Sequence, residues 1–259
     1  MVFGDVVRQW RKVRKLSQFE LAMMASVSQR HLSCLETGRS RPSRPMVMQL
    51  AEALDIPLRD RNALLSAAGF AKVYRERGLD DEQMRSVRAA LDQILAKQEP
   101  YPCVVIDRFW NIVQSNAAMK RLMTVVGELE VDAQTRSNLA LLTLHPRGFR
   151  PFIVNFDQCV APFVQRLHRD MLRYSDRETA AFFERVKVLT GDIGHIDLQA
   201  DDALMPTLPL ELGFGDVRVA LFSVIATFGT PQDITTDELR IESFFPADDV
   251  SRQFLESLA

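Results

Sequence analysis

The sequence predicts two folds in series: an all-α domain of five helices over residues 1–69 and, after a linker at 70–80, an α+β domain over 81–259 built on an antiparallel sheet of about five strands. Three observations carry this division. Apolar residues recur at the 3.6-residue helical period through the first seventy positions. From Cys103 onward, short β-branched and aromatic runs bounded by turn residues alternate with helical stretches. Charge divides at the same place: residues 1–70 hold eleven Lys and Arg against six Asp and Glu, so the remainder, with 21 against 28, is acidic although the whole chain carries only −2. A basic head on an acidic body confines contact with a polyanion to one end.

Residues 3–15 read as the first helix, with Phe3, Val6, Val7, Trp10 and Val13 on one side and Arg8, Arg11, Arg14 and Lys15 on the others. Residues 17–44 then organise the head. Ser17 and Ser28 each precede an apolar-periodic segment, where a hydroxyl can accept from a free helix N-terminal amide. Leu21, Ala22 and Ala25 face inward from the first of these two short helices, Leu32 and Leu35 from the second, and Val27 fills the corner between them. On the second helix Gln29, Arg30, Ser33, Cys34 and Thr37 share the outward face. Gln and Arg can make bidentate hydrogen bonds to adenine and guanine edges in the major groove, and Ser33 and Cys34 follow one turn later. Gly38 suits a left-handed C-cap. Pro42 and Pro45 stop any continuing helix, so Arg39, Arg41 and Arg44 are placed to lie along a phosphate backbone.

At Leu16, Ser17, Gln18, Leu21, Ala22, Ala25, Val27, Ser28, Leu32, Leu35, Glu36, Gly38 and Pro42 the chain resembles the helix-turn-helix of phage repressors and the xenobiotic-response-element class. The resemblance implies that Gln18 caps the first motif helix against phosphate, that Gln29, Arg30 and Cys34 face base edges, and that Arg11 pairs with Glu36. Ser26 stands where the pattern has a turn glycine. If the backbone there needs positive φ, serine costs on the order of 1 kcal/mol.

Residues 46–54 and 58–68 supply two more amphipathic helices parted at Pro57, the last carrying Asn62, Leu64 and Leu65 and ending at Gly69. In the linker, Val73 and Tyr74 can dock on either neighbour. A long helix over 81–98 follows, whose stripe of Met84, Val87, Leu91, Ile94 and Leu95 can bury against its own domain or another subunit. Pro100 and Pro102 end it. Strands at 103–106 and 111–114 enclose a turn, and Asn116 suits the N-cap of the next helix. This order resembles the opening of a PAS domain, an antiparallel sheet with helices enclosing a small-molecule cavity. A turn-rich segment at 145–155 sets Arg147 and Arg150 beside Phe149 and Phe152; helices at 155–174 and 176–189 follow. Strands at 208–214, 217–228 and 239–245, the first two joined by a Gly215-Asp216 turn, complete the sheet, and a helix over 248–258 closes the chain. Taken with the head, the His145-Pro146-x-Gly148 segment with Asn155 and the late sheet, the chain is similar to the MmyB-like regulators. That resemblance implies a PAS-like ligand-binding second half, with a fatty acid as one such ligand.

Several function classes find no support. No nucleophile elbow, phosphate loop, HExxH or CxxC is present, and Gly213–Gly215 is too short for a dinucleotide loop. Cys34, Cys103 and Cys159 are too scattered for a disulfide framework or zinc site, and His31, His145, His168 and His195 are equally dispersed. The Asp201-Asp202 pair lacks a partner acid in register. No apolar run reaches the roughly 18 residues of a membrane span, and the N-terminus lacks a secretion signal's pattern. For a ligand site, Phe152, Phe156, Phe163, Phe182, Phe222 and Phe228 could wall a cavity and Arg147 or Arg150 hold a carboxylate; the alternative is that the phenylalanines form solid core. The expectation is a cytoplasmic, homodimeric regulator without metal, cofactor or catalytic residues. It binds double-stranded DNA at a near-palindromic operator and senses a small apolar or acidic effector. The competing readings are a constitutive regulator whose second half only dimerises and a DNA-tethered enzyme.

Overall fold

The computed structural model describes residues 2–172, 174, 176–191 and 209–259. His195, Asp201, Asp202 and the expected strand start at Leu208 lie outside the described residues. Backbone contacts divide the chain into two units.

The first unit runs to Arg77 and also takes in Thr230–Asp237. Its five helices are α1 (Phe3–Val13), α2 (Gln18–Met24), α3 (Gln29–Glu36), α4 (Arg44–Ala53) and α5 (Leu58–Ala67). Phe3, Val7 and Trp10 of α1 join Leu21, Leu32, Leu35, Leu50 and Leu64 in one core, with Val27 packed against it. The caps are local. Ser17 Oγ accepts from Glu20 N (3.1 Å) while the Glu20 carboxylate accepts from Ser17 N (2.7 Å), and Ser28 Oγ accepts from His31 N (3.2 Å). Ser26 has φ +48°, so the α2–α3 turn does take the left-handed conformation its position implied. Gly4 brings α1 against α3: a Cβ there would lie 2.6 Å from the Leu35 and Glu36 carbonyl oxygens. One boundary differs from expectation. Helix α4 starts at Arg44, two residues before Met46, because Ser43 caps it and Pro45 falls in the first turn, where a proline's missing N–H is harmless.

Helix α5 has no side-chain cap of its own, since Pro57 occupies the N-cap position. Asp237, which belongs to the same unit, accepts from Leu58 N at 3.0 Å, and Asp233 holds Arg77 at 2.6 Å. The linker docks on α5: Asn62 Oδ1 accepts from Val73 N and Tyr74 N, and Asn62 Nδ2 donates to Tyr74 O at 2.7 Å.

The second unit opens with a short 3₁₀ turn, Glu82–Met84, then α6 (Arg85–Lys97), β1 (Cys103–Ile106) and β2 (Ile112–Ser115). Asn116 Oδ1 accepts from Met119 N (3.0 Å), capping α7 (Ala117–Val126), and from Cys103 N (3.0 Å), tying that helix to β1. Helices α8 (Ala133–Arg136) and α9 (Leu139–Leu144) follow in a segment where periodicity pointed to none. Then come α10 (Phe156–Met171), which continues through Pro162, and α11 (Arg177–Thr190). Strands β3 (Leu210–Phe214) and β4 (Val217–Ala226) lead through α12 (Ile234–Glu238), also unanticipated, to β5 (Arg240–Pro246) and α13 (Asp249–Ser257).

The five strands pair antiparallel in the order β2-β1-β5-β4-β3, which puts β5 at the centre. Alternation along the strands separates two faces. Val104 and Ile106 pack with Trp110, Leu141, Val160 and Leu167 under the helices, whereas Cys103, Val105 and Ile241 meet Leu91 and Leu95 of α6. The α6 stripe is thus buried against its own sheet, with Ile94 left 39% exposed.

Candidate nucleic-acid interface and apolar cavity

In the first unit Leu32 and Leu35 fix α3 to the core, and this turns the rest of the helix outward. Gln29 and Arg30 are exposed at its N-terminal end, and Ser33 and Cys34 are half-buried one turn later. Thr37 takes its hydroxyl back to the Ser33 carbonyl at 2.7 Å. Beyond Gly38 (φ +72°), Arg39 and Arg41 are exposed on the connection and Arg44 on the first turn of α4. Among the described residues Arg30, Arg39, Arg41 and Arg44 make no hydrogen bond or ion pair. Four cations without internal partners keep their donors for a ligand.

The end of α3 is anchored through a buried acid. Glu36, whose side chain is wholly buried, receives Arg11 Nε at 2.6 Å on Oε1, and Arg11 Nη2 (2.9 Å) and Gln18 Nε2 (2.8 Å) on Oε2. Arg8 Nη2 donates to the Glu36 carbonyl at 2.6 Å. Burial pushes the Glu36 carboxyl up, but the hydrogen bonds from Arg11 and Gln18 and the charges of Arg11 and Arg8 outweigh it and hold the group below the ordinary carboxylate value. This is the Arg11–Glu36 pair that the resemblance implied, joined by Gln18. One N–H of the Gln18 amide is thereby engaged inside the head, leaving its second N–H and its Oε1 for an outside partner.

The second unit contains a cavity of about 480 Å³ between α7, α9, α10 and the sheet. Met119, Leu139, Val160, Leu212 and Phe244 supply apolar wall; Arg166, Arg169, Ser223 and Glu242 supply polar atoms. Arg166 Nη2 donates to Glu242 Oε1 at 3.2 Å, and its guanidinium lies over the rings of Trp110 (4.6 Å) and Phe163 (5.2 Å). The Glu242 side chain is 3% exposed. Neither Glu242 Oε2 nor Arg166 Nε has a hydrogen-bond partner among the described residues. One helical turn on and two strand residues back, Asp170 pairs with Arg240, so α10 and β5 are pinned twice. Cys159 also lines the cavity. Burial, with the nearby Glu211 charge, pushes its thiol up to about 11, so it is a neutral thiol at pH 7.

Of the phenylalanines expected at a ligand site, Phe152, Phe156, Phe163 and Phe222 line this cavity. Phe182 packs edge to face on Phe109 at 6.0 Å, and Phe228 sits with α6 on the opposite face of the sheet, so both serve as core. Arg147 is 67% exposed with Glu130 4.0 Å away, and the Arg150 guanidinium covers Phe156 at 4.7 Å; neither is in the cavity lining. The charged groups in the wall are instead Arg166, Arg169 and Glu242, which sequence reading missed. A signal for one existed: Arg240 and Glu242 alternate with Phe244 on one face of β5, two charges where an inward strand face would be apolar. His145 Nδ1 accepts from Arg147 N at 3.1 Å, and His168 stacks on Phe183 at 5.0 Å. Among the described residues no three His, Cys, Asp or Glu side chains gather as metal ligands, and no helix is long and apolar enough to cross a membrane.

Residues 87–258 match the family model described as MmyB-like transcription regulator ligand binding domain, and residues 2–64 match a helix-turn-helix domain. Neither is an enzyme family. No curated protein matches the chain.

Proposed function

The chain belongs to the MmyB-like transcription regulators, a DNA-binding head followed by a ligand-binding domain, and on that premise we propose that the cavity holds a small apolar or acidic effector whose occupancy sets how paired heads engage DNA. Gln29 and Arg30 read base edges, with Ser33 and Cys34 contributing one turn later. Arg39, Arg41 and Arg44 hold phosphates, and Gln18 supports the first motif helix there through the second N–H of its side-chain amide. One head spans few base pairs, so two copies bind a near-palindrome as a homodimer. The second domain is PAS-like in this reading, a fatty acid is one compound of the expected class, and the regulator works in the cytoplasm.

The observation that carries the proposal is the pairing, in one chain, of an outward set of unpartnered cations with an apolar cavity that keeps a few polar groups. A route between them follows the chain. Strands β4 and β5 both wall the cavity, through Leu221 and Glu242, and the segment joining them carries Asp233 and Asp237, which bond Arg77 and the start of α5. An effector shifts the regulator only by its differential affinity for two arrangements of this connection. The alternative, a constitutive regulator whose second half only joins two copies, calls for a filled core, and the cavity speaks against it. The test starts from native mass spectrometry of the protein from its own host, which reports subunit number and any carried small molecule. Operator affinity at fixed salt is then measured with that molecule saturating and removed. A change supports the proposal; identical affinity refutes it.

A further inference from the structure

Building on the reading of the cavity as an effector site, we infer that Arg169, at the cavity mouth, holds a single carboxylate on the effector, whose apolar body runs inward. The exposure of the wall locates the mouth. Most lining residues are buried or half-buried, and the two exposed ones, Pro162 and Arg169, stand seven positions apart on α10. Seven positions are close to two helical turns, so both lie along one edge of that helix and the cavity opens beside it. The interior is apolar: Met119 and Leu122 of α7, Leu139 and Leu144 of α9 and Leu212 of β3 are all buried.

Charge in the wall does not cancel. The lining carries two guanidinium groups against one carboxylate, and Arg166 and Glu242 take each other, so one positive charge is left over on Arg169. Cys159 adds no charge, being a neutral thiol at pH 7, and the Thr143 hydroxyl is turned back to the Leu139 carbonyl at 2.7 Å. Arg169 makes no hydrogen bond or ion pair among the described residues, so its five N–H donors are open. A guanidinium in that state can meet a carboxylate through two parallel N–H···O bonds. A monocarboxylate with an apolar body suits both regions. Its charge stays at the rim, where water still solvates it, and its body covers the buried leucines. A charge sent inward would instead be desolvated against hydrocarbon. This narrows the effector from apolar or acidic to an apolar monoacid bound body-first, and it moves the expected clasp from Arg147 and Arg150 to Arg169.

The experiment titrates decanoate, 1-decanol and decanedioate calorimetrically into the full chain and into its Arg169→Gln variant at pH 7. The variant should bind decanoate about fivefold more weakly, the upper range for an ion pair open to solvent, and decanol as wild type does. Decanedioate should bind wild type at least about tenfold more weakly than decanoate, because its second carboxylate must enter hydrocarbon. A variant that loses nothing, or loses decanoate and decanol equally, overturns the assignment of Arg169. Decanedioate binding as tightly as decanoate overturns the body-first orientation. Both of those results leave the cavity reading standing, whereas failure of all three probes to bind wild type overturns that reading itself. If Arg169→Gln does not fold, salt decides on wild type alone: raising it should weaken decanoate relative to decanol, and a parallel response of the two overturns the inference.

Discussion

In the head, Arg30, Arg39, Arg41 and Arg44 stand without partners among the described residues, whereas in the second unit Arg108, Arg166 and Arg240 are drawn inward and each meets a carboxylate. The exposed set keeps its hydration and its long-range field, which suits a polyanion whose bound counterions are released on contact. The buried set carries a desolvation cost, offset by close pairing, and so fixes positions: Arg108 with Asp176 and Glu178, Arg240 with Asp170, Arg166 with Glu242. The same residue type is thus left outward and unpaired in one unit and organises the interior of the other. The head also holds buried acids that behave like the second unit's pairs, Glu36 with Arg11 the most completely buried of those paired.

That pair predicts the largest effect. Arg11→Met leaves the Glu36 carboxylate buried without its bidentate partner and should lower stability by about 3 kcal/mol in thermal unfolding of the full chain. If the variant melts like wild type, the Arg11–Glu36 pair is not structural and the contrast fails for it. The pH dependence has a fixed sign. Because Glu36 is held below the ordinary carboxylate value, its contribution is complete above that value and is lost as pH falls through its folded pKa. Arg11→Met should therefore flatten the acid limb of the stability curve.

The next effect belongs to the exposed set. Arg30→Ala should weaken operator binding by about 1 to 3 kcal/mol and relax preference at one base position, with no change in melting temperature. A loss of stability instead would place Arg30 among the buried set. A smaller effect is expected in the turn between them: Ser26 has φ +48°, so Ser26→Gly should stabilise the head by about 1 kcal/mol in denaturant titration, and a destabilised variant would mean that serine makes a compensating contact. Smallest in energy is Arg39→Ala, which should weaken binding to all duplexes alike and flatten the dependence of log affinity on log salt by about one unit. If Arg30→Ala and Arg39→Ala give the same pattern, the division between reading and anchoring is wrong.

The two units also differ in how far the chain alone disclosed them. In the head the decisive relations are local. Ser17 and Glu20 are three apart, Ser28 caps an amide three residues on, and the outward face of α3 lies within nine positions, so spacing exposes them. Even the strain at Ser26 was readable, because a turn position normally held by glycine was filled by serine. In the second unit the strands at Cys103, Leu210, Val217 and Arg240 were legible within two residues, since alternation and turns mark them. Helix α9 was not. Five of its six residues, Leu139, Ala140, Leu141, Leu142 and Leu144, are buried, so it has no polar face to set a period. The cavity's polar end was hidden for another reason: Arg166 and Glu242 are seventy-six positions apart and meet only after the sheet closes on α10. Arg147 and Arg150 stand beside phenylalanines in sequence, yet Arg147 is exposed and Arg150 covers the Phe156 ring without itself lining the cavity.

The central claim is that the outward face of α3 reads duplex DNA while its leucines hold it to the head. Selection of bound duplexes from a random-sequence pool by the full chain, run beside a Gln29→Ala/Arg30→Ala variant that melts like wild type, tests it most directly. Wild type should enrich a near-palindromic sequence, and the variant should bind without enriching it. Enrichment of the same sequence by both proteins, or of none by wild type, would contradict the claim.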